Sequence, residues 1–126
     1  MSHDPNCIFC KIIAGQIPSK KVFEDEELLV FHDIHPWAPV HVLVIPKQHI
    51  ATHYDVGAEQ EALLGRMMSL APRLMRELGV VNGFRTLINT GEDGRQEVQH
   101  LHMHVMGGPR PWLRGYSTPG TPAVPA

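Results

Sequence analysis

The sequence predicts an α+β domain, an antiparallel sheet of about five strands with one short and one long helix packed on it. Three observations carry that expectation. Gln99-His100-Leu101-His102-Met103-His104-Val105-Met106-Gly107-Gly108 sets three of the chain's nine histidines on alternate positions, with apolar residues between them. A period of two is the strand pattern, in which residues i, i+2 and i+4 share a face. Val40 to Pro46 is almost wholly apolar, as a central strand covered on both faces would be. From Glu59 to Leu78, the residues Leu63, Met67, Leu70, Leu74 and Leu78 recur at three- and four-residue steps, the stripe of one long amphipathic helix.

Length and charge narrow the rest. At 126 residues the chain makes one domain, expected over residues 1–116. Residues 117–126 read as a tail, because five of the eleven prolines fall in the last eighteen positions together with Gly115 and Gly120. Trp112 and Leu113, just before it, are large enough to dock. A net charge of −2 without a basic block argues against a nucleic-acid surface. No apolar run approaches the ~20 residues of a membrane span, so no membrane partner is expected. The N-terminus lacks the charged-then-apolar pattern of a signal peptide, and two cysteines three residues apart suit a reducing compartment. A cytoplasmic protein is the expectation.

Taken in order, Cys7 to Ala14 forms a short helix, with Asn6 as its cap and Gly15 as its stop. Its Cys7-x-x-Cys10 pair is open to three readings: a zinc half-site, a redox dithiol, or two small buried apolar side chains. Val22–Glu24 and Leu28–His32 make a hairpin around Asp25-Glu26-Glu27. Asp33 to Pro39 is a loop stiffened by two prolines, where Asp33 can hydrogen-bond its own backbone. In the central strand, His41 shares a face with Leu43 and Ile45. His49 follows that strand, while His32, His35 and His53 read as turn or surface residues. Gly57 stands at the cap of the long helix, Pro72 predicts a kink inside it, and Gly79 ends it. Phe84–Asn89 is a further strand. Thr90 to Val98, with Gly91 and Gly94, is a plain connection or a nest of inward-turned amides that holds an anion.

Alternate strand residues stand about 6.6 Å apart, so imidazoles at 100, 102 and 104 form a row in which each can take a different task. Burying three polar rings for packing alone is costly. Two chemical readings remain: zinc ligation, or a nucleophilic middle imidazole supported by its neighbours.

His100-Leu101-His102-Met103-His104-Val105-Met106 resembles the signature of the histidine triad (HIT) family of nucleotide hydrolases and transferases. The following Gly107-Gly108 resembles its Hint branch, and the likeness runs from about Asn6 to Pro109. The resemblance implies a purine nucleoside 5′-phosphoramidase, with His102 as nucleophile forming a nucleotidyl-histidine. His104 then serves as hydrogen-bond donor or general acid, with His41 close behind. It implies that Asp33 receives the ribose hydroxyls, that Ile34 packs on the base, and that Asn89 and the Arg95-Gln96-Glu97 segment hold the α-phosphate. Glu97 departs from the serine of the animal branch, so only its backbone N–H suits a phosphate. Bacterial relatives pair the two cysteines with histidines at positions 49 and 100, which implies a structural zinc on Cys7, Cys10, His49 and His100 and no cofactor for catalysis. The family's dimers extend the sheet across a two-fold axis, with the long helix and the edge near Ile88 expected at the contact. Rival expectations are a catalytic zinc on the histidine row, a hydrolase of dinucleoside polyphosphates, and a nucleotide-sensing or protein-interaction module.

Overall fold

The computed structural model describes residues 4–112. Leu113 and the expected tail at 117–126 lie outside the described residues. The elements run α1 (Ile8–Ile13), β1 (Lys21–Glu24), β2 (Leu28–His32), β3 (Val40–Pro46), α2 (Glu61–Glu77), β4 (Phe84–Leu87) and β5 (Met103–Gly107). All neighbouring strands are antiparallel, in the spatial order β1-β2-β3-β5-β4, which puts β3 in the middle.

Strand alternation sorts the side chains into two layers. Leu28, Val30, Val42, Val44, Met103 and Val105 leave one face and join Leu63, Met67, Leu70 and Leu74 of α2 in the larger core. Leu29, Phe31, Leu43 and Ile45 leave the other and pack beneath Cys7, Phe9, Cys10 and Ile12 of the α1 segment. Both faces are covered, which is why β2, β3 and β5 are buried along almost their whole length.

Several local expectations shift. Cys7, not Asn6, caps α1: its sulfur accepts from the Cys10 N–H at 3.3 Å. The long helix starts later than its stripe suggests, because Ala58–Gln60 form a 3-10 turn closed by the Gln60 carboxamide on the Gly57 N–H. Pro72 does lie inside α2. The helix ends in a Schellman motif, with the Gly79 N–H on the Arg76 carbonyl and the Val80 N–H on the Met75 carbonyl. Gly107 is required by close approach, since a Cβ there would lie 2.6 Å from a Val80 methyl.

The largest correction concerns the histidine row. Ladder pairing in β5 begins at Met103, so His100 and His102 precede the strand. The Leu101 N–H instead meets the Ile50 carbonyl at 2.6 Å, drawing this segment away from the sheet. The alternation survives the departure: Leu101 stays in the α2 core, while Phe9 of α1 meets the rings of His100 and His102.

Candidate active site

His41 on β3 and His104 on β5 are brought together by the sheet register, which pairs Leu43 with His104 and His41 with Met106. Their nearest nitrogens, His41 Nε2 and His104 Nδ1, are 2.8 Å apart. The proton between them can be placed. The Trp37 backbone N–H, which can only donate, points at His41 Nδ1 from 3.0 Å. His41 therefore accepts through Nδ1 and carries its proton on Nε2. That proton goes to His104 Nδ1, which leaves the proton of His104 on Nε2. Burial lowers the pKa of His41 despite the opposing pull of Asp33, and so favours the neutral ring.

His102 has the opposite polarity. Its Nδ1 lies 2.7 Å from the His100 carbonyl, which can only accept, so Nδ1 carries the proton and Nε2 carries the lone pair. That buried Nε2 has no hydrogen-bond partner among the described residues. The His102 and His104 rings are 5.1 Å apart, and Phe9 meets the His102 ring edge-on, also at 5.1 Å. Two adjacent imidazoles thus present a lone pair and an N–H, the pair an electrophile carrying an oxyanion needs.

Asp33, Ile34, His32, Ser19, Pro39 and His41 line an open recess of about 650 Å³ that reaches the end of this chain of rings. Ile34 is 85% exposed there. Asp33 works in the turn as well as at the recess: Oδ1 accepts from the His35 N–H at 2.8 Å, and Oδ2 lies 3.5 Å from His41 Nε2. Sequence reasoning treated His32 as surface and gave Phe9 and Trp37 no role. Nothing in their types signals one, since Trp37 acts through its backbone and Phe9 through a packing contact.

The glycine loop is tighter than expected. At Gly94 a Cβ would lie 2.3 Å from the Thr90 carbonyl oxygen, and Arg95 is held at φ 62°. The Arg95 N–H bonds the Glu92 carbonyl and the Gln96 N–H bonds the Gly91 carbonyl, each at 3.0 Å. The Gln96 side chain is equally occupied: its amide nitrogen reaches the carbonyls of Ala51 and Val98, and its oxygen accepts from the Gly91 N–H. Gln96 therefore pins the loop rather than offering its amide to a phosphate, and only the Glu97 N–H of this segment has no acceptor among the described residues. The side chains of Arg95 and Glu97 are exposed, and Asn89 is buried at the loop's start.

Two groups of metal-capable side chains converge among the described residues, each with its ligand atoms within 4.8 Å of one another. In the first, Cys7 Sγ and Cys10 Sγ each lie 3.3 Å from an Nδ1, of His100 and His49 respectively. The two Nδ1 atoms are 3.2 Å apart. These are the edge lengths of a small tetrahedron of S₂N₂ donors, the geometry zinc takes in structural sites. His100 is prepared for it: Nε2 faces the Pro46 carbonyl at 2.8 Å and so holds the proton, and burial pushes the ring's pKa down to about 4. Burial also raises the Cys7 thiol, an effect that a bound cation's own charge would reverse.

The second group, Asp33, His41 and His104, has the inventory of a metal site without the lone pairs. His41 Nε2 carries a proton because the Trp37 N–H fills Nδ1, so it cannot ligate without becoming an anion. Nor do the three rings of the row meet on one point, since His100 turns to the cysteines and His102 to a carbonyl.

The HIT domain pattern matches residues 14–110. Protein HitA of Neisseria gonorrhoeae is 51% identical over 104 residues, covering 82% of this chain and 97% of its own length. A purine nucleoside phosphoramidase of Escherichia coli (strain K12) is 46% identical over 102 residues, 80% of this chain and 86% of that protein. Among solved structures, a HIT family hydrolase from Legionella pneumophila Philadelphia 1 superposes with a TM-score of 0.81 at 45% identity, covering 83% of this chain and 95% of that one. A histidine triad protein from Clostridium difficile gives a TM-score of 0.83 at 40% identity, covering 86% and 96%.

Proposed function

The chain belongs to the HIT domain family and is a hydrolase of that family, and from that premise we propose that it cleaves purine nucleoside 5′-phosphoramidates through a nucleotidyl-histidine. The observation that carries the proposal is the opposed polarity of His102 and His104, joined through His41 to a recess with a carboxylate at its edge. The relative named purine nucleoside phosphoramidase supports the substrate class.

In this reading the nucleoside occupies the recess. Asp33 accepts from the ribose hydroxyls, and the exposed Ile34 covers one face of the base. The α-phosphate lies against His104 Nε2–H, the Asn89 side chain and the Glu97 N–H. His102 Nε2 attacks phosphorus in line with the P–N bond, the bond to the amine breaks, and the imidazole becomes a phosphorylated imidazolium whose Nδ1–H stays on the His100 carbonyl. Water then displaces His102, giving the nucleoside monophosphate.

The proton inventory decides between two tasks for His104. Giving up its Nε2–H would pull the His41 proton across and leave His41 an imidazolate. The relay therefore holds no proton to spare, and His104 stabilises the phosphate charge as a donor. The leaving nitrogen takes its proton from solvent or arrives protonated.

Cys7, Cys10, His49 and His100 hold a zinc ion in this reading, which supplies cross-linking between α1, the segment after β3 and the segment before β5. Two copies pair through the β4 edge, where Phe84 is 38% and the adjacent Val81 85% exposed. Light scattering at micromolar concentration should return the mass of two chains.

Intact mass of the enzyme, quenched in base during turnover of adenosine 5′-phosphoramidate, tests the chemistry. An added nucleotidyl mass mapped to His102, absent in His102→Ala, is expected. Turnover by His102→Ala at the wild-type rate, or faster cleavage of a diadenosine polyphosphate than of the phosphoramidate, would overturn it.

A further inference from the structure

We infer that His100 is a positioning residue that couples the Cys7–Cys10–His49 cluster to the nucleophile, so that a thiophilic divalent cation bound there holds His102 in its reactive tautomer. The inference rests on the reading of His102 as nucleophile, and goes beyond a site that merely braces the fold.

His100 belongs to both arrangements through different atoms. Its side chain offers Nδ1 to the cluster, 3.3 Å from Cys7 Sγ and 3.2 Å from His49 Nδ1. Its main-chain carbonyl is the group that receives His102 Nδ1–H at 2.7 Å. Where that carbonyl lies determines which nitrogen of His102 keeps the lone pair.

The ties on that carbonyl run beside the cluster. His100 and His102 precede the first ladder pair of β5, so no sheet hydrogen bond fixes the peptide between them. One tie is the N–H of the carbonyl's own peptide, that of Leu101, on the Ile50 carbonyl at 2.6 Å, a bond between the residues that follow His49 and His100; the other is the His100 ring on Pro46. The other wall of the nucleophile comes from the cluster's own helix. Phe9, between the two cysteines, meets the His102 ring at 5.1 Å and 89° and the His100 ring at 5.9 Å and 71°. A helix of six residues does not hold itself in place. Without a cation the helix keeps the apolar packing of Phe9, Cys10 and Ile12 on Leu29, Phe31, Leu43 and Ile45, but its polar ties to His49 and His100 reduce to thiol–imidazole contacts, which are weak hydrogen bonds. Both walls of His102 are thus built from residues that carry or adjoin the four donor atoms.

The test uses the full chain labelled with ¹⁵N on histidine, loaded with zinc, exchanged to cadmium, and stripped by a chelator under a reducing thiol. Two-bond ¹H–¹⁵N spectra report the tautomer of His102 directly. The expected result is a single Nδ1–H form with zinc, a changed His102 Nδ1 shift with cadmium, and a mixture of tautomers on stripping. The rate of nucleotidyl transfer to His102 should fall about tenfold or more on stripping, with AMP still bound, and should return with zinc. His49→Asn, which removes a donor that does not touch His102, should reproduce the stripped spectrum. A His102 tautomer and Nδ1 shift indifferent to zinc, cadmium and chelator would overturn the inference, and so would failure of the protein to bind either metal. Should the stripped protein unfold, the zinc-to-cadmium comparison still decides. The tautomer readout needs no turnover, so a missing covalent adduct would sink the proposed reaction without touching this one.

Discussion

Two clusters joined by the segment from His100 to His104 use the same ring chemistry to opposite ends. Cys7, Cys10, His49 and His100 form one, and Asp33, His41 and His104 the other, each compact enough to surround an ion. The difference lies in the backbone group behind one histidine of each, His100 and His41. A carbonyl, that of Pro46, backs His100 and takes its Nε2 proton, so a lone pair faces the cluster. An N–H, that of Trp37, backs His41 and fills Nδ1, so a proton faces the cluster. One polarity suits a ligand set and the other a hydrogen-bond relay. An inventory of side chains within reach of one another therefore says less about a histidine site than the single backbone atom behind each ring.

The comparison can be broken at several points. Chelation under reducing conditions should have the largest effect. Thermal melts should show a loss of about 4 kcal/mol relative to protein held at about a thousand times the dissociation constant, and Cys10→Ser should lose the dependence on metal. A melt indifferent to chelator would mean that the first cluster is not a ligand set. Next, His41→Phe keeps an aromatic ring but removes the donor to His104, freeing His104 to lose the tautomer that faces the phosphate in the proposed reaction. The expected cost is about 10²–10³-fold in kcat with little change in AMP affinity. An equal change in both quantities would assign His41 to binding instead.

Lowering the pH sharpens the comparison further. The folded pKa of His41 is depressed below its ordinary 6.5 by burial. As pH falls below 6.5 the unfolded chain takes up a proton that the folded chain refuses, so stability declines with falling pH until the folded pKa is passed. In the stripped protein His100 adds the same trend over a window from 6.5 down to about 4. Urea titrations from pH 7.5 to 4.5 should show this decline, and the kcat of loaded enzyme should drop with an apparent pKa below 6.5, as the relay charges. A kcat rising toward acid pH would mean that a protonated relay is the active form. The smallest effect serves as control. Arg66 on α2 bridges Asp25 and Glu27 of the β1–β2 turn and holds the Asp25 carboxyl at about 2. It touches neither cluster. Arg66→Ala should cost no more than about 1 kcal/mol, leaving metal binding and turnover unchanged.

Much of the fold was legible because its signals are local. The α2 stripe, the apolar run of β3 and the β1–β2 hairpin can each be read within a few residues, and each formed within a few residues of its expected limits. Boundaries shifted where a side chain competed with the backbone, as at the Cys7 cap and the Gln60-closed turn. The histidine row was legible as an alternation, and that alternation persists although half of it lies outside any strand. The glycines of the loop before it allow either a plain connection or an amide nest, and it is Gln96 that closes the loop, by bonding Ala51, 45 residues away.

By itself, then, the sequence determined which residue types stand two, three or four apart, and hence the helices, the strands and the choice of which imidazoles share a face. Periodicity is a property of neighbours along the chain, and it needs no tertiary contact to be read. Only the tertiary structure decided what each imidazole does. A neutral ring has one proton and two nitrogens, and the group that chooses between them is the Pro46 carbonyl, the Trp37 N–H or the His100 carbonyl. Those are backbone atoms common to every residue type, and only folding brings them to the rings they set.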